Sequence, residues 1–414
     1  MKNFNLENTS IFLISVLPIL IIVGSTASLI AVIFLSFIGI CLFIFKKENR
    51  NIFFNRTVIL LFIVYFYLIL NSLISLNIDL GFARNLGFIR FIFLFLLINY
   101  FFKIEKNHNL IFKIWLLIIG MIVIDAYKEI ITGTNFLGYG ELYGNRIVSF
   151  FKDEPVVAAF LNGFMFILSG YLLNNFKEKN YFNKSICIIT IILFVICVIF
   201  TGERSNTLKL IIGIVTFFTI NKYFGIKIKL YLTISLLFVS VLAVSSSDYL
   251  KLRYITQIKN SIIGVEGQER LYFNLYKSGY EVFQQYPYFG VGNKNYRYET
   301  CNLEKLAKFK NYTCSTHPHQ IYFEFLSEHG LVGTIILLSA FFYLIFRYLK
   351  IIIFSKNLVQ LGSFVYLVTV FIPLLPSGAF FNDFNSTLFW INLSILYASN
   401  SQTNIFLQTN NLKV

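Results

Sequence analysis

Residues 57–76 read TVILLFIVYFYLILNSLISL, from Thr57 to Leu76, without one charged side chain. Crossing about 30 Å of hydrocarbon takes about 20 apolar residues in a helix, so this stretch is long enough to span a bilayer. It does not alternate over about ten residues as a barrel strand would, and a bare backbone in lipid must satisfy its own hydrogen bonds. Similar runs occupy 9–24, 27–45, 86–102, 110–129, 155–174, 185–201, 206–221, 230–246, 331–348, 357–375 and 384–400. The expectation is an all-α polytopic membrane protein with about twelve transmembrane helices. The first run, with Lys2 ahead and Gly24, Ser25, Thr26 and Ala27 behind, resembles a signal peptide but reads as an uncleaved first helix that turns tightly into the second.

Composition agrees with that reading. Of 414 residues, 57% are hydrophobic and 13% charged, with a mean hydropathy of +0.71, which leaves no room for a large water-soluble domain. The formal charge of +15 would suggest nucleic acid on a soluble chain, but here the excess sits in loops beside apolar spans. Lys46, Lys47, Arg50 and Arg56, then Lys103 and Lys106, Lys177, Lys179 and Lys184, Lys222, Lys227 and Lys229, and Arg347, Lys350 and Lys356 fall in alternate loops. That pattern puts those loops and the N-terminus in the cytoplasm. The outer loops are then 77–85, 131–154, the turn Thr201–Ser205, the long stretch 247–330 and 376–383. The chain thus divides into 1–246 with spans one to nine, the large outer loop 247–330, and 331–414 with the last three spans and a cytoplasmic tail. No low-complexity segment and no clear internal repeat is present.

The polar candidates collect on the outer side. Pro318 is tolerated only at a helix start and Gly330 is a helix stop, so 319–329 reads as a short helix with His319 in its first turn. There the helix dipole disfavours the imidazolium, which makes His319 either a general base or a loop cap. Gln320, Glu324, Ser327 and Glu328 share its polar face. Arg204, in a five-residue turn, must lie at the membrane–water boundary, either as a phosphate clamp or as a snorkelling anchor. Arg146, ahead of the sixth span, offers a second clamp, while Lys152, Asp153 and Glu154 before Pro155 read as a solvated helix start. Arg253, Arg270 and Arg297 add cations in the long loop, offset by Glu266, Glu269 and Glu281. Tyr272, Tyr276, Tyr280 and Phe283 form a helical stripe, either packing surface or a platform for sugar rings. Cys301 and Cys314 are expected to pair as a disulfide pinning the strand into His319. His317 and His319 have the wrong spacing from that pair for a zinc site, and no metal is expected.

The run His319, Gln320, nine residues, Gly330, two residues, Gly333 resembles the histidine motif of the O-antigen ligase and O-antigen polymerase superfamily. The arginine turn Gly202–Ser205, Arg146 before the sixth span and the segment of Pro287, Gly290 and Gly292 fall in a similar order. The chain departs from the pattern where Lys152 to Pro155 replaces a Pro-Asn segment, and where Gln320 stands for the commoner asparagine. The resemblance implies a GT-C-like, metal-independent, inverting glycosyltransferase in the bacterial inner membrane, with its site on the periplasmic face and no cofactor. Its donor would be a glycan on undecaprenyl pyrophosphate, with His319 as base and Arg204 and Arg146 holding the leaving pyrophosphate. Arg253, Arg270, Arg297, His317, Gln320, Glu324, Tyr272 and Tyr276 are the candidates for substrate contact. Two separate arginine regions suit two pyrophosphates, which favours a polymerase joining lipid-linked glycans over a ligase passing the chain to lipid A core. A chain-length-regulating membrane protein is a further candidate partner, and no nucleic acid is. A lipid or glycan transporter is the alternative of another class, against which stand nearly charge-free spans.

Overall fold

The computed structural model describes residues 6–45, 47–140, 146–152, 154–174, 176–263 and 271–408, and among these the chain forms helices and no strand. The principal helices are α1 (Leu6–Val23), α2 (Ser25–Ile40), α3 (Arg56–Leu73), α4 (Ile78–Gly87), α5 (Ile89–Phe101), α6 (Glu105–Thr132), α7 (Val157–Leu173), α8 (Tyr181–Phe200), α9 (Arg204–Ile220), α10 (Ile226–Ser245), α11 (Leu271–Gln285), α12 (Ile321–Phe346), α13 (Leu358–Val370) and α14 (Asp383–Ala398). Each apolar run of the sequence contains one of them.

Among the described residues, eight helical segments are long and apolar enough to cross a membrane, fewer than the twelve expected. The other four runs hold the shorter helices α7, α9, α13 and α14. The shortening has local causes. Helix α13 stops at Val370 because Pro373 lacks the amide and clashes with the preceding turn, so the expected 357–375 is cut short. Helix α14 starts at Asp383, where the expected 384–400 begins, because Asn382 caps it, accepting from Asn385 N. The bundle is unevenly filled: 67% of the best window of Ile78–Phe101 is buried, but only 17% of that of α10, which therefore stands at the periphery.

The expected short helix 319–329 does not end at Gly330. It begins at Ile321 and continues through a break into the next span, making one helix, α12, to Phe346. Gly330 sits at φ 63 and ψ −170, a conformation without strain only for glycine. A break exposes backbone groups, and the Pro287–Gly292 segment satisfies them. Leu331 N and Val332 N donate to the carbonyls of Pro287 and Tyr288 at 2.8 and 3.1 Å, while Val291 N and Gly292 N donate to those of Ser327 and Glu328, both at 2.9 Å. The approach is close enough that a Cβ at Gly330 would lie 2.4 Å from the Tyr288 carbonyl carbon, and one at Gly290 2.4 Å from that of Glu328. Asn71 of α3 seals the joint, donating to Glu328 O and accepting from Asn293 N.

Helix α11 lies on the first half of α12, with the rings of Tyr276 and Phe323 stacked at 5.4 Å. Cys301 and Cys314 are joined by a disulfide beyond it. Glu299 there pairs with Lys305 and accepts from the hydroxyl of Tyr312 at 3.1 Å.

Replacing Gly330 by alanine should lower the thermal midpoint of the purified protein in detergent by several degrees, since a strained position of this kind costs of order 1–3 kcal/mol before any clash. Gly120→Ala is the control, because a Cβ at Gly120 of α6 would meet nothing within 4 Å. Equal midpoints for the two variants would contradict the role given to the break.

Candidate active site

Arg204 is presented by the turn between α8 and α9. Gly202 takes φ 72, and a Cβ there would lie 2.7 Å from the Tyr249 hydroxyl. Thr201 Oγ1 donates to Val198 O and accepts from Glu203 N, which winds the turn tightly. Glu203 then locks it to α7: its carboxylate accepts from Ala158 N at 2.6 Å, Ala159 N at 3.3 Å and Asn206 Nδ2 at 2.8 Å. The first two are backbone amides that the start of α7 leaves without partners. Burial pushes the Glu203 carboxyl up to about 7, against the pull of those donors and of Arg146.

Arg146 is placed by two carboxylates of α6. Glu129 accepts from Val148 N and Ser149 N at 3.0 and 2.6 Å, and Asp125 accepts from the Ser149 hydroxyl. The chain beside Arg146 is fixed, yet its own Nε is buried without a hydrogen-bond partner.

His319 precedes α12 in a left-handed backbone conformation, φ 57, that few residues other than glycine adopt. Pro318 pins it from one side, since a Cβ at Gly279 of α11 would lie 2.9 Å from the Pro318 ring. Gln320 begins the helix, accepting from Tyr322 N and Phe323 N at 2.8 and 3.1 Å. Because His319 stands before the first helical turn, burial rather than the helix dipole lowers its pKa. His317 stacks on it with ring centroids 3.9 Å apart. Its Nε2 donates to Ser377 O, which leaves Nδ1 to accept from the Thr316 hydroxyl. Burial, then the neighbouring His319, lowers His317 to about 4.

One connector ties these parts together. Between α13 and α14, Pro376 O accepts from the Ser205 hydroxyl, Ser377 N donates to His319 O at 2.8 Å, and Leu374 O accepts from the Tyr276 hydroxyl at 3.2 Å. Phe380 N donates to the Glu324 carboxylate at 2.9 and 3.0 Å. The arginine turn, the histidine and α11 are thus all fastened to residues 374–380 by backbone groups.

Arg146, Arg204, Arg253 and His319 line one cavity of about 1720 Å³. Five cationic side chains face it (these arginines, Lys209 and Lys251) against two acidic ones, Glu154 and Glu203, so the space carries a net positive field. Lys251 is paired with Asp248, and Arg253 donates to Gly202 O through Nε and Nη2 and to Gln257 through Nη1. Burial, then the charges of Arg146 and Arg204, lowers the Arg253 guanidinium. Arg146 and Arg204 themselves form no hydrogen bond or ion pair with a described residue. Apolar walls come from Leu208 and Ile211 of α9 and Leu237, Val241 and Val244 of the peripheral α10. Along α9 the lining runs from Arg204 to Ile211, a depth of about 10 Å at 1.5 Å per residue, so the cavity ends well short of the opposite face.

The other candidates distribute as follows. Tyr272 and Tyr276 line the cavity, and the Tyr272 ring lies 6.1 Å from that of His319. Gln320 and Glu324 do not: both are buried and committed to backbone amides, so the expected substrate contacts are structural bonds. His317 backs His319 outside the lining, and Arg297 is exposed on the helix Tyr296–Thr300, away from it. Arg270, Glu141, Asp153, Glu266 and Glu269 lie outside the described residues. The expectation of two separate arginine regions is corrected, since Arg146 and Arg204 face one space. Lys209, Asn162, Asn382 and Asn385 were not singled out by the sequence. A lysine inside an apolar run was the available signal for the first. Among the described residues, no group of three or more His, Cys, Asp or Glu side chains is arranged to hold a metal ion.

These features define a multi-pass helical membrane protein with a cationic, half-apolar cavity at one end of its bundle. Residues 189–338 match a family described as O-Antigen ligase, which bears out the superfamily resemblance of the histidine motif. The matched stretch carries Arg204, Arg253, α10 and His319, and the match supports an O-antigen ligase- or polymerase-like character. No curated protein matches the sequence.

With its pKa below the ordinary value of about 6.5, the His319 ring is neutral at pH 7. Its reactivity toward diethyl pyrocarbonate, followed by mass spectrometry in a His317→Gln background, should be flat above pH 7 and fall with a midpoint below about 6.5. A midpoint above 7 would contradict the buried, neutral imidazole.

Proposed function

We propose that the protein transfers a glycan from undecaprenyl pyrophosphate to a sugar hydroxyl on the periplasmic face of the bacterial inner membrane, as an O-antigen polymerase. The observation that carries this reading is the meeting in one cavity with apolar side walls of a neutral histidine and two guanidiniums unpaired among the described residues. Lipid-linked pyrophosphate has the matching parts: an anion at head-group depth and a hydrocarbon chain beside it. The basic loops containing Lys103, Lys222 and Lys350 lie at the helix ends opposite Arg204, which by the positive-inside rule turns the cavity outward.

In this reading the acceptor hydroxyl gives its proton to His319 while its oxygen bonds to the anomeric carbon. The bond from that carbon to the phosphate oxygen breaks, and its electron pair leaves on the phosphate. Arg146 and Arg204 meet the charge as it grows, in surroundings of low dielectric where a fixed guanidinium acts strongly and no metal is required. The Tyr272 ring stands beside the base, where a sugar face can stack.

A polymerase uses lipid-linked glycan as both donor and acceptor, so a single cavity of this chemistry serves both. The ligase reading is the second one, favoured by the description of the matched family. Full-depth passage would be needed for a transporter, and the cavity lining stops about 10 Å down α9.

His319→Ala should abolish transfer in reconstituted membranes with donor binding kept, and Arg204→Ala should lower turnover by about a hundredfold or more. Arg204→Lys should recover only part, because an ammonium cannot bind two phosphate oxygens side by side. Normal turnover in His319→Ala would remove the base from the account. In a deletion strain, lipopolysaccharide with a single repeat supports the polymerase; bare core with accumulated lipid-linked polymer assigns the ligase instead.

A further inference from the structure

Lys209 stands inside the apolar helix α9, between Leu208 and Leu210, five residues and about 7.5 Å along the axis beyond Arg204. It lines the cavity and has no hydrogen-bond or ion-pair partner among the described residues. An ammonium within a membrane-spanning helix is costly, and such groups persist where they meet a counter-charge or a polar passage. Here the carboxylates of the cavity do not serve. Glu203 is held by three N–H donors at the mouth, and Glu154 lies exposed before α7. Tyr366 of α13 faces the same space, and its hydroxyl has no hydrogen-bond partner among the described residues. The walls nearest Lys209 in sequence, Leu208 and Ile211, are apolar.

We propose that Lys209 is the deep anion contact of the cavity and takes the lipid-side phosphate of a polyprenyl pyrophosphate, while Arg146 and Arg204 take the sugar-side phosphate. This rests on the transferase reading given above and adds an order to the pyrophosphate: the phosphate bearing the hydrocarbon chain lies deeper, along the walls of α9 and α10. The flexible stem of Lys209 lets its ammonium rise toward the head-group level.

The assignment separates the cations by their kinetic effect. When the anomeric carbon–oxygen bond breaks, negative charge grows on the sugar-side phosphate, so a cation there stabilises the transition state more than the bound substrate. The lipid-side phosphate keeps the same charge before and after. Lys209 therefore holds substrate and transition state equally, which sets KM rather than kcat.

The test uses the full-length protein in nanodiscs, with undecaprenyl pyrophosphate and undecaprenyl monophosphate as binding probes and donor turnover measured beside them. Lys209→Met should weaken pyrophosphate-lipid binding and raise the donor KM by about tenfold, the loss expected for one charge-assisted contact, with kcat within about threefold of wild type. Lys209→Arg should restore binding, which separates the charge from any packing effect. Wild-type binding and KM in Lys209→Met would overturn the proposal, and so would a loss of kcat at unchanged KM. If Arg146→Ala and Arg204→Ala lose turnover while Lys209→Met behaves as wild type, the transferase reading survives and the Lys209 assignment alone falls. If the wild-type protein binds neither lipid, both fall together.

Discussion

A membrane helix can be broken only where something else satisfies the backbone groups that the break sets free, and in this protein that condition is met at Gly330. The turn segment from Pro287 to Gly292 lies against the break and exchanges four backbone hydrogen bonds with it. Only residues without a side chain allow the approach, which is why Gly290 and Gly330 face each other at distances that a Cβ would violate. The broken helix aims its first half, Ile321–His329, independently of the span that follows. The Gln320 cap then fixes the direction in which the chain enters, and His319 adopts its uncommon backbone conformation at the cavity edge. The glycines of the histidine motif are thus mechanical parts, and the histidine is the piece they place.

The second dependency is electrostatic. Arginines in proteins usually find carboxylates, and the chain has carboxylates close by, but these are engaged elsewhere. Glu203 accepts from the start of α7, Glu129 and Asp125 from the residues beside Arg146, and Glu324 from the connector. Each acid holds a segment on which a side chain or wall of the cavity stands. Arg146 and Arg204 are left facing the cavity without a hydrogen-bond or ion-pair partner among the described residues. Preorganised donors of this kind have little reorganisation to complete when an anion arrives. A site of the opposite design, with each guanidinium neutralised by its own carboxylate, would bind a phosphate poorly.

Much of this was legible in the sequence because hydropathy is read along the chain and a membrane enforces it. All twelve apolar runs contain a helix, and the loops that alternate with basic ones carry Arg146, Arg204 and His319. Membrane proteins concentrate their chemistry at one end, so residues far apart in sequence can be grouped by topology alone. What the sequence did not disclose acts through the backbone. The connector 374–380 has no ionisable side chain, yet it joins Ser205, Tyr276, His319 and Glu324 through carbonyls and amides. Gln320 and Glu324 looked like ligands because polar residues on a helix beside a histidine usually face solvent; here the connector and the helix cap consume them. Lys209 was hidden in an apolar stretch, where the run as a whole outweighs one charge. The shorter helix α13 was overestimated because apolar residues continue past Val370, where the approach of Pro373 sets its end.

In the proposed reading, one cavity aligns a lipid-linked pyrophosphate between Arg146 and Arg204 and a sugar hydroxyl beside His319. The most direct test of that reading is a cryo-electron microscopy structure of the full chain in nanodiscs containing undecaprenyl-pyrophosphate-linked glycan. Phosphate density is expected between the two guanidiniums, with the first sugar at the imidazole and the hydrocarbon chain leaving between α9 and α10. Phosphate density at the opposite end of the bundle, or away from both arginines, would contradict it.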